Sequence, residues 1–152
     1  MDDQNLIKTK GENKLMETPI ELINATKDKV VSYLKKNFPE YQIFDNNTYT
    51  ITRGSAQVLI IIRPYTESET AIEFISNLVS DAKITPEIME FLLRKNAELH
   101  FGAFGLLFDN TIIFSYTLVG SKMDENEFAT ALDSVALIAD YYDDEIIKML
   151  EQ

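Results

Sequence analysis

The residues that could do chemistry in this chain of 152 residues are few and scattered. The single histidine, His100, lies close to Glu98 just before a predicted strand, where a structural role is expected rather than a catalytic one. No serine lies in a nucleophile-elbow pattern. Gly102 and Gly105 are too few, and lie inside a strand pattern, so they do not form a phosphate-binding loop. The sequence therefore predicts no catalytic residues.

Acidic residues near the C-terminal end are the only candidates for a metal site: Asp140, Asp143, Asp144 and Glu145. A calcium loop of the EF-hand type needs alternating oxygen ligands around a central glycine, whereas this stretch is helical and has none. Asp140 and Asp144 are one helical turn apart, so a weak cation contact is the alternative to a solvated face. We expect the solvated face, and no metal or cofactor.

Asn96 is the polar residue that stands out, because it lies near the end of a predicted helix. Asparagine is favoured there since its amide bonds local backbone groups. We expect it to tie the helix end to the loop that follows, and not to bind a ligand.

Composition narrows the classes of function. The chain has no cysteine, which excludes disulfides and thiolate metal sites. Its net charge of −11 argues against nucleic acid or an anionic membrane as partner. No apolar run is long enough to span a bilayer, and the first residues do not form a secretory signal. We expect a soluble cytoplasmic protein.

Two apolar runs around Asp109 and Asn110 predict a hairpin with a two-residue turn. Pairing Phe108 with Thr111 places two sets of side chains on opposite faces. One set is apolar throughout and is predicted to face the core: Phe101, Ala103, Gly105, Leu107, Ile112, Phe114, Tyr116 and Leu118. The other is mixed and still shows Phe104, Leu106, Phe108 and Ile113, a stripe that something should cover.

An earlier hairpin is predicted around Gly54 and Ser55, with Arg53 opposite Ala56. One face then carries Tyr49, Ile51, Val58, Ile60 and Ile62, and the other includes Leu59 and Ile61. Residues 41–44 suit a short strand before it. Residues 70–80 fit a strand and a helix equally well by periodicity, and we interpret them as a strand.

Helices are predicted at both ends of the folded region. The first begins with a capping box of Thr18 and Glu21 around Pro19 and ends at Phe38, before a proline.

The last helix is predicted to begin at Asp124, which forms a capping box with Glu127. From residue 124 to 152 there are nine acidic residues and one lysine, so its outer face is strongly negative. Such a face usually serves solubility; attraction of a basic partner is the alternative.

The middle helix is predicted from Thr85 to about Glu98. Its apolar arc is widened by Met89 and Leu93 beyond what a surface helix needs. Two interpretations stay open, a buried helix and a helix shared between the core and a partner.

These elements predict an α+β fold in the order α-β-β-β-α-β-β-α, an antiparallel sheet with helices packed on it. Residues 1–17 are polar and weakly periodic, and we expect them to be a disordered leader. Residues 18–152 are expected to form a single domain.

The segments at residues 92–99 and 101–106, the hairpin after them, and residues 132–145 resemble the YbjN-like family, which is related in fold to the type III secretion chaperones of the CesT/Tir kind. The resemblance covers most of the chain from Thr18 on. It implies a type III secretion chaperone-like fold, a strand at residues 70–80, and protein binding or regulation without catalysis. It carries over no catalytic or cargo-binding residues.

The leading hypothesis is therefore a non-enzymatic module, chaperone-like or regulatory, that binds a protein or peptide and could form a homodimer. The alternative is a small-ligand-binding protein or an enzyme with an unrecognised site; a structural subunit of an assembly is a third possibility. The candidate binding residues are apolar: Leu59, Ile61, Met89, Leu93, Phe104, Leu106, Phe108 and Ile113.

Overall fold

A computed structural model describes residues 17–151, so the predicted leader, Glu17 apart, lies outside the described residues. Within residues 17–151, three helices and six strands follow one another. In order they are α1 (Ile20–Asn37), β1 (Gln42–Asp45), β2 (Thr48–Arg53), β3 (Ala56–Thr66), β4 (Glu69–Val79), α2 (Pro86–Glu98), β5 (Ala103–Leu106), β6 (Ile112–Val119) and α3 (Glu125–Leu150).

The six strands form one antiparallel sheet in the order β1-β2-β3-β4-β6-β5. The predicted α+β class is confirmed. The observed order has one strand more than the predicted order, because the short strand expected at residues 41–44 is present as Gln42–Asp45 and pairs with β2 at the sheet edge. The segment that periodicity left ambiguous is the long central strand β4, which pairs with both β3 and β6.

The core lies between one face of the sheet and the helices α1 and α3. Val30 and Leu34 of α1 and Phe128 and Leu132 of α3 are fully buried there. The sheet contributes alternate residues of its central strands, which all point to this side because side chains alternate along a strand. These are Tyr49, Ile51, Val58, Ile60, Ile62, Ile72, Phe74, Ile112 and Phe114.

The register of the first hairpin is confirmed, with Arg53 opposite Ala56 and Ile51 opposite Val58. Gly54 has φ of +57°, in the left-handed region that favours glycine. A side chain at this position would also meet the carboxylate of Asp140 on α3. The turn is therefore fitted against the last helix.

The predicted register of the second hairpin is wrong by one residue. Phe104 lies opposite Phe114 instead of Ser115, and Leu106 lies opposite Ile112 instead of Ile113. The loop has three residues, not two: the Leu107 carbonyl accepts from Asn110 N–H at 2.9 Å, and Leu107 N–H donates to the Thr111 carbonyl at 2.9 Å. Asn110 takes up the left-handed conformation, with φ of +64°. Such a loop is the next commonest hairpin connection.

The shift by one residue exchanges the faces of β5, because side-chain direction alternates with every residue. Phe104 and Leu106 therefore share the helix-covered side with Phe114, and Phe104 belongs to the core. Ile113 points to the opposite side, together with Gly105. The predicted stripe thus divides between two faces of the sheet.

Two of the three predicted helix starts are confirmed. The Thr85 side chain accepts from Ile88 N–H at 3.2 Å, and Asp124 accepts from Glu127 N–H at 2.7 Å. The predicted cap of α1 by Thr18 is wrong. The Thr18 hydroxyl instead donates to the Thr66 carbonyl at 2.7 Å, which ties the start of α1 to the end of β3.

No helix in the described part of the chain is long and apolar enough to cross a membrane.

Candidate apolar binding surfaces

The eight apolar residues predicted to bind a partner lie in three places. Leu59, Ile61 and Ile113 lie on the side of the sheet that faces away from α1 and α3. Met89, Leu93, Leu106 and Phe108 belong to α2, the end of β5 and the loop that follows. Phe104 is buried in the core. The structure therefore provides two separate candidate surfaces and one core residue.

The open sheet face, as we name the first surface, consists of Leu59, Ile61, Ile75 and Ile113. Leu59 lies directly opposite Ile75 on the neighbouring strand, and Ile61 follows two residues along β3. Ile113 opposes Asn77 on β4, which makes it the diagonal neighbour of Ile75. None of the four belongs to the core cluster between sheet and helices. They form a continuous apolar area across three strands.

Polar side chains border the open sheet face. Thr50 opposes Leu59 and Ser115 opposes Ile75, so the central apolar pair has a hydroxyl on each side. Arg63 and Glu73 form an ion pair on the same face. An apolar centre with a polar rim is the usual composition of a protein-binding surface.

The α2–β5 edge, as we name the second surface, exposes large apolar side chains at one end of the sheet. Leu93 is 72% exposed and Phe108 is fully exposed, while Met89 and Leu106 are each about half exposed. The structure adds Phe101 and Leu107 to this set, at 45% and 41%. The interpretation of α2 as a buried helix is wrong, since only Ile88 is buried in it.

Asn96 joins the two elements of this edge. Its side-chain oxygen accepts from Phe104 N–H at 2.7 Å, and its amide nitrogen donates to the Phe104 carbonyl at 3.2 Å. The amide thus occupies the outer edge of β5 as a neighbouring strand would. The predicted structural role of Asn96 is confirmed, although its partner is the strand beyond the loop.

The sequence profile of one protein family matches residues 21–151. Its description is TY-Chap1, T3SS (YopN, CesT) and YbjN peptide-binding chaperone 1. The chain belongs to this family. No curated protein sequence is significantly similar to it.

Solved structures share the TY-Chap1 fold of this chain at low sequence identity. A chain of the HopA1–SchA chaperone–effector complex has a TM-score of 0.62 at 10% identity, covering 84% of this chain and 98% of that one. A chain of the ExsC–ExsE complex has 0.58 at 12%, covering 78% and 93%. A chain of the ExoU–SpcU complex of the Pseudomonas aeruginosa type III secretion system has 0.54 at 9%, covering 79% and 96%.

Of the groups considered for metal binding in this TY-Chap1 chain, Asp140 and Asp143 meet at the Ser55 hydroxyl, at 2.7 Å and 2.5 Å. His100 is exposed, with its ring 6.5 Å from that of Phe101. Asp140 accepts from both the backbone N–H and the hydroxyl of Ser55, each at 2.7 Å, and these bonds lower the pKa of its carboxyl. Within residues 17–151, no three His, Cys, Asp or Glu side chains lie close enough to hold a metal ion.

Sequence reasoning missed several residues of these surfaces. Ile75 could have been found from the sequence, because side chains alternate along β4 and Ile75 therefore points to the other face of the sheet from its neighbour Phe74. Phe101 and Leu107 were assigned to the core only through the wrong hairpin register. The contact between Ser55 and Asp140 joins residues 85 positions apart, and no local pattern indicates it.

Proposed function

We propose that this TY-Chap1 chain is a non-enzymatic, chaperone-like module that holds a peptide segment of a partner protein against the open sheet face. The observation that supports it most is the contiguous apolar area of Leu59, Ile61, Ile75 and Ile113, which lies on the side of the sheet that faces away from α1 and α3. Folded proteins rarely leave a contiguous apolar area of a sheet bare. The family description and the chaperone–effector complexes among the similar structures agree with this role.

A small-ligand or enzymatic function has less support. The depression beside Arg53, Gly54 and Asp140 has a volume of about 390 Å³ and no converging catalytic groups. A binding site for a small molecule would combine a deeper apolar pocket with a few convergent polar groups. We therefore propose peptide binding without catalysis, by a single domain formed from residues 18–152, in the cytoplasm.

A peptide library selected on the immobilised full chain tests this role. The dissociation constant of a selected peptide is then measured by fluorescence anisotropy for the native chain and for Ile61→Lys. The new lysine faces Glu73 across the strand pair, so the fold should tolerate it. We expect binding to weaken at least about tenfold, since an apolar contact is replaced by a charge.

Ile147→Lys is the matched control, because Ile147 is a partly exposed isoleucine on α3, away from the open sheet face. It should bind the peptide as the native chain does. Selection of no peptide above background, or equal binding by Ile61→Lys, would contradict the proposal.

We further propose that the α2–β5 edge joins two copies of the chain in a homodimer. Its support is the large exposed apolar area of Leu93, Phe108 and their neighbours, which is separate from the open sheet face. Sedimentation velocity should show a dimer for the native chain and a monomer for Leu93→Glu, while Tyr65→Glu, at another exposed apolar position, stays dimeric. A native chain that sediments as a monomer at micromolar concentration would contradict this part.

A further inference from the structure

Two apolar side chains on the outer side of α3 have no place in the function proposed above. Leu137 and Tyr141 are each 70% exposed. They are four residues apart, so they lie on the same face of the helix, one turn from each other. Since α3 covers the other side of the sheet, this pair and the open sheet face lie on opposite sides of the molecule.

Leu137 also lines a groove between α3 and the β2–β3 turn. The groove has a volume of about 390 Å³ and is lined by Arg53, Gly54, Asp133, Ala136, Leu137 and Asp140. Its exposed apolar side chain is that of Leu137, since Ala136 is buried beneath it, and its carboxylates come from the helix. Gly54 leaves room for this arrangement, because a side chain there would meet Asp140. The turn and the helix thus shape one concave surface.

The charge of the groove is negative despite the presence of Arg53. That guanidinium is paired with Glu40 and lies 5.1 Å from the centre of the Phe38 ring.

The carboxylates of the groove stay charged. Asp140 accepts hydrogen bonds from the neutral donors of Ser55, which lower the pKa of its carboxyl and keep it ionised. Asp133 is exposed at the other end of the groove, and Asp144 continues the negative face one turn beyond Tyr141.

We propose that this α3 groove is a second docking surface, which binds a basic amphipathic segment of a partner protein. An apolar side chain of the segment packs on Leu137. Its lysine or arginine side chains lie against Asp133 and Asp140, and one of them covers the face of the Tyr141 ring. Charge complementarity selects this occupant, because an acidic segment would meet carboxylates on both sides of the apolar contact.

A titration of the ¹⁵N-labelled full chain with a defined probe tests the proposal. The probe is a synthetic peptide of leucine and lysine in helical spacing, and its counterpart has glutamate in place of lysine. The basic peptide should shift the amide signals of residues 53–55 and 133–141, and the acidic peptide should shift none of them. Binding should weaken as salt rises, because exposed charges are screened.

Three variants separate docking in the groove from general attraction to an acidic protein. Leu137→Ser with Tyr141→Ser should weaken binding of the basic peptide about tenfold while the net charge stays the same. Glu127→Gln removes an exposed carboxylate of α3 outside the groove and should leave binding unchanged. Ile61→Lys should also leave binding of the basic peptide unchanged. The proposal for the α3 groove is therefore tested separately from the proposal for the open sheet face.

Two results would overturn the proposal. One is a set of shifted signals spread over all acidic parts of the surface, which would indicate attraction by net charge alone. The other is equal affinity of the native chain and the Leu137→Ser, Tyr141→Ser variant, which would remove the apolar contact from the interaction.

Discussion

At the scale of single residues, Asn96 closes one edge of the sheet. Its amide takes both backbone bonds of Phe104 that a further strand would take. Exposed strand edges invite pairing with other chains, and covering the edge is one way in which proteins prevent it. Asn96 therefore holds the outer edge of β5 against α2 at Phe104.

Replacing Asn96 with alanine should lower the free energy of unfolding by about 1–2 kcal/mol, because both Phe104 backbone groups lose their partner. Urea unfolding measures the loss. Hydrogen exchange at the Phe104 amide should become faster in the variant. Asn126→Ala changes an exposed asparagine in the first turn of α3 and serves as the control. Equal stability of the two variants would show that the Asn96 bonds do not support the edge.

Glu69 is the residue whose charge should matter most for pH dependence. Burial raises the pKa of its carboxyl, but hydrogen bonds from Ser121, Thr70 and Gly120 lower it more, so the net pKa lies below its ordinary value of 4.5. The Ser121 hydroxyl donates at 2.6 Å and the Ser121 N–H at 2.7 Å. A lowered pKa means that the folded chain favours the ionised form, which stabilises the fold above the unfolded pKa.

Glu69→Gln should therefore be less stable than the native chain by about 1 kcal/mol at pH 7, because a glutamine accepts fewer of these bonds. The difference should shrink as the pH falls below 4.5 through the lowered pKa, where the native carboxyl is protonated as well. Urea unfolding at a series of pH values measures it. Glu67→Gln, in the exposed turn next to Glu69, should show no such trend.

At the scale of elements, the two hairpins show what local sequence can decide. Gly54 with Ser55 specifies its turn, because glycine tolerates the positive φ that the first turn position requires, and the predicted register is confirmed. Asp109 with Asn110 fits two loops. In the structure the Asp109 side chain accepts from Thr111 N–H at 3.0 Å and Asn110 takes up the left-handed conformation, which gives a three-residue loop. With either loop, β5 places apolar side chains on the core side of the sheet, so the hydrophobic pattern does not decide between the two registers.

The β2–β3 turn should be the less tolerant of two glycine positions. Gly54→Ala should lower the free energy of unfolding by about 1–2 kcal/mol, because alanine is strained at φ of +57° and its methyl group meets Asp140. Gly105→Ala is the control, since its methyl group would meet only Ile113, at an ordinary 3.4 Å. Thermal unfolding of both variants measures the difference. A smaller loss for Gly54→Ala than for Gly105→Ala would contradict the fitted turn.

At the scale of the whole molecule, the sequence determined the layers better than it determined the surfaces. Each helix has an apolar stripe and the first hairpin has an apolar face, so an α+β fold with helices on a sheet follows from local patterns. Which residues remain uncovered depends on register and on contacts between distant elements. Leu59 and Ile61 were placed correctly because the first turn is unambiguous, whereas Phe104 was assigned to the wrong face with its strand.

Phe104 and Ile113 give the sharpest test of this arrangement, because they are equally shielded, at 7% and 8% exposed, on opposite faces of the sheet. Phe104 packs edge-on against Phe114 at 4.9 Å and Tyr142 at 5.6 Å between ring centres. Phe104→Lys should therefore lower the free energy of unfolding by at least about 3 kcal/mol, because it removes the ring and buries a charge.

Ile113→Lys should cost only about 1–2 kcal/mol, because from the open sheet face the lysine stem can cover its neighbours while the ammonium group reaches water. Urea unfolding and the near-ultraviolet circular dichroism of both variants measure the contrast. A loss as large as that of Phe104→Lys would mean that another segment covers the open sheet face. Since the two positions match in exposure and receive the same side chain, the contrast reflects the loss of the Phe104 ring contacts together with the different environments of the two faces.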